Sequence, residues 1–306
     1  MSDGIIGSAS TNCRIGAVSY LNSKPLIFEL QRLAPEATIT VDVPSRLADQ
    51  LAAGVLDVAL IPSIEFLRTP GYRIVSDACI ACEGPVRSVQ LFSRVPVERI
   101  RTLSLDEGSR TSAALVRIML QERFGLVPEY GILPIGASME ECQTDAVLLI
   151  GDRAMRASQS TRASQLTRAS QSTRASQLTP AQATPAQSTP AQATPAQATP
   201  AGDCQVFEAV WDLGEEWVAW TGLPFVFAAW VARDEADAVR FGPLLAAARD
   251  AGVGRFEEIA RREAPIVGLS HEFCLSYLRD NLTFRLGPKQ REGLARFEQM
   301  VRRLGL

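Results

Sequence analysis

A run of short repeats interrupts the chain and limits how the rest of it can fold. Residues 156–179 are four copies of Arg-Ala-Ser-Gln-(Ser or Leu)-Thr, and residues 180–199 are four copies of Pro-Ala-Gln-(Ala or Ser)-Thr. The whole block, 156–201, contains two Leu and no other large apolar side chain. Because it cannot bury enough apolar surface to offset the entropy lost on ordering, the composition predicts a disordered, low-complexity insert. Any folded core must be assembled from the segments on either side.

Outside the repeats, stretches typical of β-strands alternate with stretches typical of helices. These segments are long enough for one large domain or two small ones, and the alternation predicts an α/β fold. Two long apolar strands, Ser88–Ser93 and Pro224–Val231, lie on either side of a middle segment. The pattern therefore predicts a middle lobe inserted into an outer lobe, with the two strands as hinges and a ligand cleft between the lobes.

The predicted lobes are both discontinuous in sequence. Residues 13–94 and 225–306 form the outer lobe, so both ends of the chain contribute to it. Residues 95–155 and 202–224 form the inserted lobe, and the disordered insert 156–201 separates these two pieces.

Charge and hydropathy argue against two classes of partner. The chain has 31 Lys and Arg, 34 Asp and Glu, and a formal net charge of −3. Four of the Arg and none of the acids lie in the repeats, so the remainder carries 27 basic and 34 acidic residues. Such a field does not favour nucleic acid. We also expect a cytoplasmic protein with no membrane contact, because no apolar run is long enough to span a bilayer and the N-terminus lacks the features of a secretory signal.

The six cysteines do not indicate a disulfide framework or a metal site. Cys79 and Cys82 have the spacing of redox or zinc motifs, but no second pair and no nearby His completes a zinc site. Reduced, buried thiols are the simpler interpretation. The sequence also lacks a nucleotide-binding loop and a catalytic triad, so we expect neither a metal nor a cofactor.

Polar residues follow the first predicted strands at the points where helices begin. A helix N-terminus favours an anion, because its N–H groups are free and its dipole is positive there. An ordinary helix cap explains the same residues, so the pattern alone leaves both interpretations open. The candidate binding residues in these turns are Ser19, Tyr20, Asn22, Ser23 and Ser63.

The segment after Gly108 crowds three hydroxyls at the start of one helix. A plain cap needs one hydroxyl, so three of them favour a cradle for a carboxylate or phosphate. Thr221 and Gly222, where the chain returns to the second long strand, are weaker candidates for the same cleft. The candidates in the cradle are Ser109, Arg110, Thr111 and Ser112.

Taken together, these segments resemble the menaquinone biosynthesis family typified by chorismate dehydratase. The resemblance covers residues 13–155 and 204 to about 285, nearly all of the chain outside the repeats. It implies a fold similar to that of type II periplasmic binding proteins, in agreement with the two-lobed prediction. The segments that carry the resemblance are 16–26, 60–63, 108–112, 146–154 and 212–228.

The resemblance also implies a reaction. Members of the family remove water from chorismate, giving 3-[(1-carboxyvinyl)oxy]benzoate in the futalosine pathway. On this resemblance, Asn22 and Ser88 position the ring and its leaving hydroxyl, and the enolpyruvyl carboxylate of the substrate takes the proton. No protein base stands out, because caps and ion pairs explain Glu65, Asp106 and Asp152 equally well.

Three alternatives stay open at this point. A solute-binding receptor for small anions on the same fold would need export, and we find no signal for it. The sister enzyme that forms 1,4-dihydroxy-6-naphthoate is expected to have a different first motif and a His in its cleft, whereas the single His, His271, reads as a surface or packing residue. A catalytically inactive ligand sensor would share every motif.

Overall fold

The computed structural model describes residues 13–161 and 207–306. In these residues, strands form two sheets and helices pack around them. This confirms the mixed α/β class that the alternating pattern predicts. No helix in the described ranges is long and apolar enough to cross a membrane.

The larger sheet combines strands from both ends of the chain. Strand β1 (Arg14–Val18) pairs in parallel with β2 (Thr38–Asp42) and β3 (Val58–Pro62). Strand β10 (Phe225–Ala232) runs antiparallel between β3 and β4 (Arg73–Cys82). All residues of β3 and β10 are buried, which explains why both segments read as continuous apolar runs. The six strands, in the order β11-β4-β10-β3-β1-β2, are β1 (Arg14–Val18), β2 (Thr38–Asp42), β3 (Val58–Pro62), β4 (Arg73–Cys82), β10 (Phe225–Ala232) and β11 (Thr283–Arg285).

The smaller sheet is built from the middle of the chain. Strand β6 (Thr102–Asp106) is parallel to β7 (Glu129–Leu133) and β8 (Ala146–Ile150). Strand β5 (Val89–Ser93) is antiparallel to β8 and β9 (Ala209–Asp212). Its five strands, in the order β7-β6-β8-β5-β9, are β5 (Val89–Ser93), β6 (Thr102–Asp106), β7 (Glu129–Leu133), β8 (Ala146–Ile150) and β9 (Ala209–Asp212).

Helices connect the strands and cover the sheets. A 3₁₀ turn at Leu21–Ser23 precedes α1, and a π-helical turn at Tyr277–Asn281 follows α10. Helix α8 approaches α1 so closely that a Cβ at Gly252 would lie 1.8 Å from the carbonyl oxygen of Pro25. The helices are α1 (Lys24–Ile27), α2 (Leu30–Leu33), α3 (Pro44–Ala52), α4 (Ser63–Arg68), α5 (Arg110–Phe124), α6 (151–161), α7 (Leu213–Thr221), α8 (Glu235–Val253), α9 (Phe256–Val267), α10 (His271–Ser276) and α11 (Pro288–Leu304).

The chain passes between the two sheets at residues 83–88 and again at 213–224. The carboxylate of Asp212 fastens both crossings. It accepts hydrogen bonds from the backbone N–H groups of Val86 (2.8 Å) and Arg87 (2.6 Å), and it caps the start of α7. Burial raises the pKa of Asp212, while these N–H groups act in the opposite direction. One mostly buried carboxylate therefore ties the two connections together.

One predicted hinge strand belongs to a different sheet. Residues 89–93, assigned above to the outer lobe, form β5 and pair with β8 and β9 in the smaller sheet. The change of sheet therefore comes before β5, at residues 83–88. An apolar run could not distinguish the two cases, because a strand in the middle of either sheet is buried on both faces. The second predicted strand, β10, does lie in the larger sheet. The division into two lobes otherwise stays a prediction.

The start of the repeat block is also structured, contrary to the prediction of disorder. Residues 156–161, its first copy, continue α6. Arg156 donates a hydrogen bond to the carbonyl oxygen of Val267 (2.7 Å). An established helix extends more easily than a new one nucleates, so a segment of low apolar content can prolong it. The remaining predicted insert residues, 162–201, and the adjoining residues 202–206 lie outside the described ranges.

Candidate functional site

A cavity lies between the two sheets, next to the first crossing; we call it the inner cavity. It contains about 470 Å³ of empty space, part of it open to solvent. Apolar walls with a few polar groups are typical of sites for small organic molecules. No charged side chain of the described residues lines it. Its polar lining residues are Tyr20, Asn22, Ser88, Ser109 and Ser112, and the apolar ones include Val18, Ile80, Val89, Ile150 and Phe227.

Asn22 reaches the inner cavity from the 3₁₀ turn that follows β1. The turn is held at both ends. The N–H of Leu21 donates to Asp152 Oδ1 (3.0 Å), and the buried hydroxyl of Ser23 is shared between the carbonyl oxygens of Val18 and Tyr20. The Oδ1 atom of Asn22 is buried and has no hydrogen-bond partner. Ser23, a predicted binding residue, thus shapes the turn and does not line the cavity.

Ser88 reaches the inner cavity from the first crossing. Its own N–H donates to the carbonyl oxygen of Val86 (2.6 Å), and its carbonyl oxygen accepts from the N–H of Gly151 (2.8 Å). The preceding residue, Arg87, has a φ of 57°, a left-handed conformation that is uncommon for a residue other than glycine. Ser88 Oγ is buried without a partner. The backbone here is therefore fixed, while the hydroxyl is left unused.

The N-terminus of α5 forms a third side of the inner cavity. Ser109 caps the helix by accepting from the N–H of Ser112 (3.2 Å), and its hydroxyl donates to Ser112 Oγ (2.7 Å). Both hydroxyls line the cavity. A helix start with its N–H groups and dipole directed at the cavity suits a carboxylate.

Tyr20 lies between the inner cavity and a second, neighbouring space. Its ring packs on Gly151, where a Cβ would lie 2.7 Å from Tyr20 Cδ1 and where φ is 65°. Glycine is therefore needed at this position for both space and conformation. Burial, reinforced by the nearby carboxylate of Asp106, raises the pKa of Tyr20 well above its ordinary value. The phenol is neutral at physiological pH.

Tyr20 also lines a second space, which we call the outer pocket. It contains about 740 Å³, again partly open to solvent. Its charged side chains meet partners within the protein: Lys24 lies 3.5 Å from Glu263, and Arg153 lies 2.6 Å from Asp106. The polar residues that line the outer pocket are Ser19, Tyr20, Lys24, Asp106, Asp152, Arg153, Arg156 and Glu263. Ser19 therefore lies outside the inner cavity.

Asp152 lies in the outer pocket and is mostly buried. Desolvation raises its pKa, while the hydrogen bond from the Leu21 N–H and the nearby Arg156 and Lys24 lower it in part. Asp106, the other candidate acid here, is held by the N–H of Ile150 and by Arg153. Neither carboxylate lines the inner cavity.

Two other predicted binding residues lie between helices. Thr111 Oγ1 accepts from the N–H of Ile64 at the start of α4 (3.2 Å). Ser63 Oγ donates to the carbonyl oxygen of Val226 (2.7 Å) and lies 3.4 Å from Thr111 Oγ1. The structure therefore places both hydroxyls in the contact between α4 and α5 and not in the cavity lining.

The remaining candidates lie farther away. Arg110 forms ion pairs with Asp49 (2.7 Å) and Glu65 (3.4 Å) on the larger-sheet side. Thr221 bonds back to the carbonyl oxygen of Trp217, and Gly222 ends α7 in a left-handed conformation. None of these residues is in the cavity lining. His271, at the start of α10, lies 3.2 Å from Glu257 and is likewise absent from it.

Sequence reasoning missed Tyr277. This tyrosine is fully buried, and its hydroxyl interacts with the side chains of Ser88 and Asn22, although no hydrogen bond with good geometry is formed. It lies in the C-terminal helical segment, where a buried aromatic residue reads as ordinary packing. Only a structure could show that its hydroxyl meets two distant turns.

Comparison with known sequences gives two agreeing results. Residues 13–167 and 202–303 match the family described as menaquinone biosynthesis. The chain is 30% identical over 261 residues to a chorismate dehydratase from Thermus thermophilus, and the match covers 85% of this chain and 84% of the relative.

Comparison with solved structures identifies the fold. A crystal structure of a protein from Archaeoglobus fulgidus superposes with a TM-score of 0.67 at 12% identity, covering 98% of this chain and 99% of the other. The periplasmic aliphatic sulphonate binding protein of Escherichia coli superposes with a TM-score of 0.55 at 14% identity, covering 96% and 87%. The architecture is thus that of the periplasmic binding proteins, as the sequence predicts.

Proposed function

The chain belongs to the menaquinone biosynthesis family, and on that premise we propose that it is a chorismate dehydratase, a carbon–oxygen lyase that forms 3-[(1-carboxyvinyl)oxy]benzoate in the futalosine pathway. One observation carries the proposal. The inner cavity brings the two residues that the resemblance marks as catalytic, Asn22 and Ser88, together with the start of α5 in one mostly apolar enclosure.

The proposed reaction balances without a redox partner. The ring carbon that bears the ether loses a proton, and the adjacent carbon loses its hydroxyl, so one C–H and one C–O bond break and one C=C bond forms. The leaving hydroxide takes up the proton removed from the ring and departs as water, and the ring becomes aromatic. The protein then has to hold two carboxylates, orient the hydroxyl and provide for one proton transfer.

In this proposal, Ser109 and Ser112 hold one substrate carboxylate against the N-terminus of α5. Hydrogen bonds to a charged group, together with the helix dipole, favour an anion there. Asn22 and Ser88 donate to the leaving hydroxyl and stabilise the negative charge that develops on it. Ser88 Oγ has no protein partner and can donate to a ligand, and the donor that Asn22 offers is its Nδ2 group.

The lining of the inner cavity supports the substrate's own carboxylate as the base. Among the described residues, neither an Asp nor a Glu lines the cavity to act as the base, and no Lys or Arg lines it to pair with the substrate carboxylate. Desolvation raises the pKa of a carboxylate that has no nearby cation, which makes it a better proton acceptor. We therefore propose that the enolpyruvyl carboxylate takes the proton from the ring carbon.

The sister reaction, which forms 1,4-dihydroxy-6-naphthoate, has less support. It is expected to use a His in the cleft, and His271 lies beside Glu257 at the start of α10, outside the cavity lining. A binding protein for small anions is compatible with the fold alone, and a test for turnover separates it from the enzyme.

The test is to incubate purified full-length protein with chorismate and to follow both loss of substrate and the aromatic product by chromatography with mass detection. The Asn22→Ala/Ser88→Ala variant serves as a matched control for spontaneous decay of chorismate. We expect the enolpyruvyl benzoate to form with the wild-type chain and to fall to the level of the control with the variant. Chorismate that binds but is not consumed would support the binding protein and defeat the proposal.

A further inference from the structure

Tyr277 has a hydroxyl group that packing does not require. The side chain is fully buried, and its oxygen has no hydrogen-bond partner. A buried polar group without a partner destabilises a folded protein, and Phe would fill the same volume without this penalty. An unsatisfied phenol inside the protein therefore needs an explanation.

The position of this hydroxyl supplies one. Within the described ranges, seven buried side-chain nitrogen and oxygen atoms lack a partner, and three of them belong to Asn22, Ser88 and Tyr277. Those three are neighbours, because Ser88 and Asn22 both interact with the Tyr277 hydroxyl. Asn22 and Ser88 line the inner cavity and Tyr277 does not, so the phenol lies behind them.

The local backbone is also unusual at this residue. Tyr277 begins the π-helical turn Tyr277–Asn281 directly after α10. Such turns are rare and occur frequently at functional sites. The same segment is attached to the first crossing, since Asn281 Nδ2 donates to the carbonyl oxygen of Pro85 (2.9 Å) and Arg87 reaches Ser276 Oγ (3.4 Å). The π-helical turn and the crossing that carries Ser88 are therefore linked.

We propose that Tyr277 is a positioning residue, whose hydroxyl donates to Asn22 Oδ1 when substrate is bound and so turns the Asn22 amide group toward the leaving hydroxyl. The inference rests on the proposed function of the inner cavity. In the structure the Ser88 and Asn22 side chains act on the phenol oxygen as donors, since both lower its pKa, and Asn22 Oδ1 is buried without a partner. Turning the amide group places Oδ1 at the phenol hydroxyl and leaves Nδ2 for the ligand. Ser88 can then donate either to the phenol oxygen or to the substrate.

Tyr277 acts in this scheme as a hydrogen-bond donor and not as an acid or base. Burial raises its pKa far above the ordinary value, and the neighbouring Ser88 and Asn22 side chains lower it only in part. A phenol this weakly acidic keeps its proton throughout the working pH range. Its contribution is orientation, which depends on small distances because a misplaced group loses much of its effect.

The test is a double-mutant cycle in the full-length protein with chorismate as substrate. Tyr277→Phe keeps the ring and removes only the donor. We expect kcat to fall about 10- to 100-fold while KM changes less than about threefold, because orientation and not binding is lost. In the Asn22→Ala background, the same substitution should change kcat less than about threefold, since the group it orients is already absent.

Tyr72→Phe is the matched control, because that phenol lies beside Glu65 and Arg233, neither of which lines the inner cavity, and it should leave kcat unchanged. The melting temperature of Tyr277→Phe should be equal to or above that of the wild type. Three outcomes would overturn the inference: wild-type kcat in Tyr277→Phe, a loss explained by a lowered melting temperature, or equal losses in both backgrounds. Absence of turnover by the wild type would instead defeat the proposed function itself, and the inference with it.

Discussion

The inner cavity and the outer pocket share Tyr20 but differ in whether their polar side chains have partners within the protein. In the outer pocket, charged side chains have partners within the protein: Lys24 pairs with Glu263, Arg153 pairs with Asp106, and Asp152 and Arg156 bond to backbone groups. In the inner cavity, no charged side chain is present among the described residues, and the neutral oxygens of Asn22 and Ser88 have no partner.

This difference separates groups that hold the structure from groups that act on a ligand. A paired charge has its hydrogen-bonding capacity used by the protein, so it stabilises the local fold. An unpaired neutral oxygen in an apolar enclosure destabilises the empty protein and is satisfied only when a ligand arrives. On this account, substitutions in the inner cavity change turnover, and those in the outer pocket change stability.

The largest expected effect is on turnover in the inner cavity. Asn22→Ala and Ser88→Ala should each lower kcat by about 10²-fold or more, comparable to the loss of an oriented donor in other enzymes. The melting temperature should stay the same or rise, because each substitution removes an unsatisfied buried atom. Steady-state kinetics and thermal unfolding measure both quantities, and Ser138→Ala, which removes a partly exposed hydroxyl outside the inner cavity, is the control. Near-normal turnover in both variants would show that the site is elsewhere.

The opposite pattern is expected in the outer pocket. Arg153→Ala leaves the buried carboxylate of Asp106 without its cation, although the N–H groups of Gly108 and Ile150 still bond to it. We expect the free energy of unfolding to fall by about 2 kcal/mol, the scale of a hydrogen bond to a charged group. At a temperature where the variant is folded, kcat should change less than about fivefold, since no catalytic contact is lost. Denaturant titration with activity assays tests this, and a large loss of kcat at full stability would remove the distinction between the two regions.

A smaller effect should distinguish two adjacent hydroxyls on α5. Ser112 lines the inner cavity, whereas Thr111 bonds to the N–H of Ile64. Ser112→Ala should raise KM about tenfold, or about 1.4 kcal/mol, because one contact to a carboxylate is lost. Thr111→Ala should lower stability and leave KM unchanged. The reverse result would mean that the carboxylate is bound on the side of α5 that faces α4.

The smallest effect concerns pH. Burial raises the pKa of Asp152 above 3.8, its value in an unfolded chain, so between these two values the folded state binds the proton more tightly. The contribution of this group to stability is therefore present below pH 3.8 and is lost as the pH rises through the raised pKa. Asp152→Asn removes this loss and should gain stability relative to the wild type as the pH rises. Urea denaturation at several pH values measures the difference, and a pH-independent difference would contradict the assignment.

The sequence allowed much of the fold to be predicted because its strongest signals are local. Strands β3, β8 and β10 are uninterrupted apolar runs, and Ser63, Ser109 and Pro288 mark the starts of α4, α5 and α11. Strands β7, β9 and β11 give a weak sequence signal, because they are short and most of their residues are not buried. A period-two signal needs a longer or better-buried strand. The sequence assigns β5 to the outer lobe, whereas it pairs within the smaller sheet, because apolar content indicates that a strand is buried but not which sheet it joins.

The site was predictable only where it is made of turns. Asn22, Ser109 and Ser112 lie in polar turns or at helix starts, whereas Ser88 is marked only by the family resemblance, and all four line the inner cavity. The same signal equally selected Thr111, whose hydroxyl faces a neighbouring helix. Tertiary packing decides which side of a helix start faces the cavity, so a sequence pattern cannot distinguish Ser112, which lines the cavity, from Thr111, which does not. Tyr277 gave no signal, because a phenol in a buried helix looks like any core aromatic residue.

The most direct test of the central claim is a crystal structure of Ser88→Ala, the slowed variant, with chorismate bound. We expect the substrate ring in the inner cavity, with one carboxylate at the N-terminus of α5 and the ring hydroxyl next to Asn22. Chorismate bound instead in the outer pocket, with its carboxylates on Lys24 and Arg156, would contradict the account, because side chains that it assigns to holding the structure would then form the ligand site.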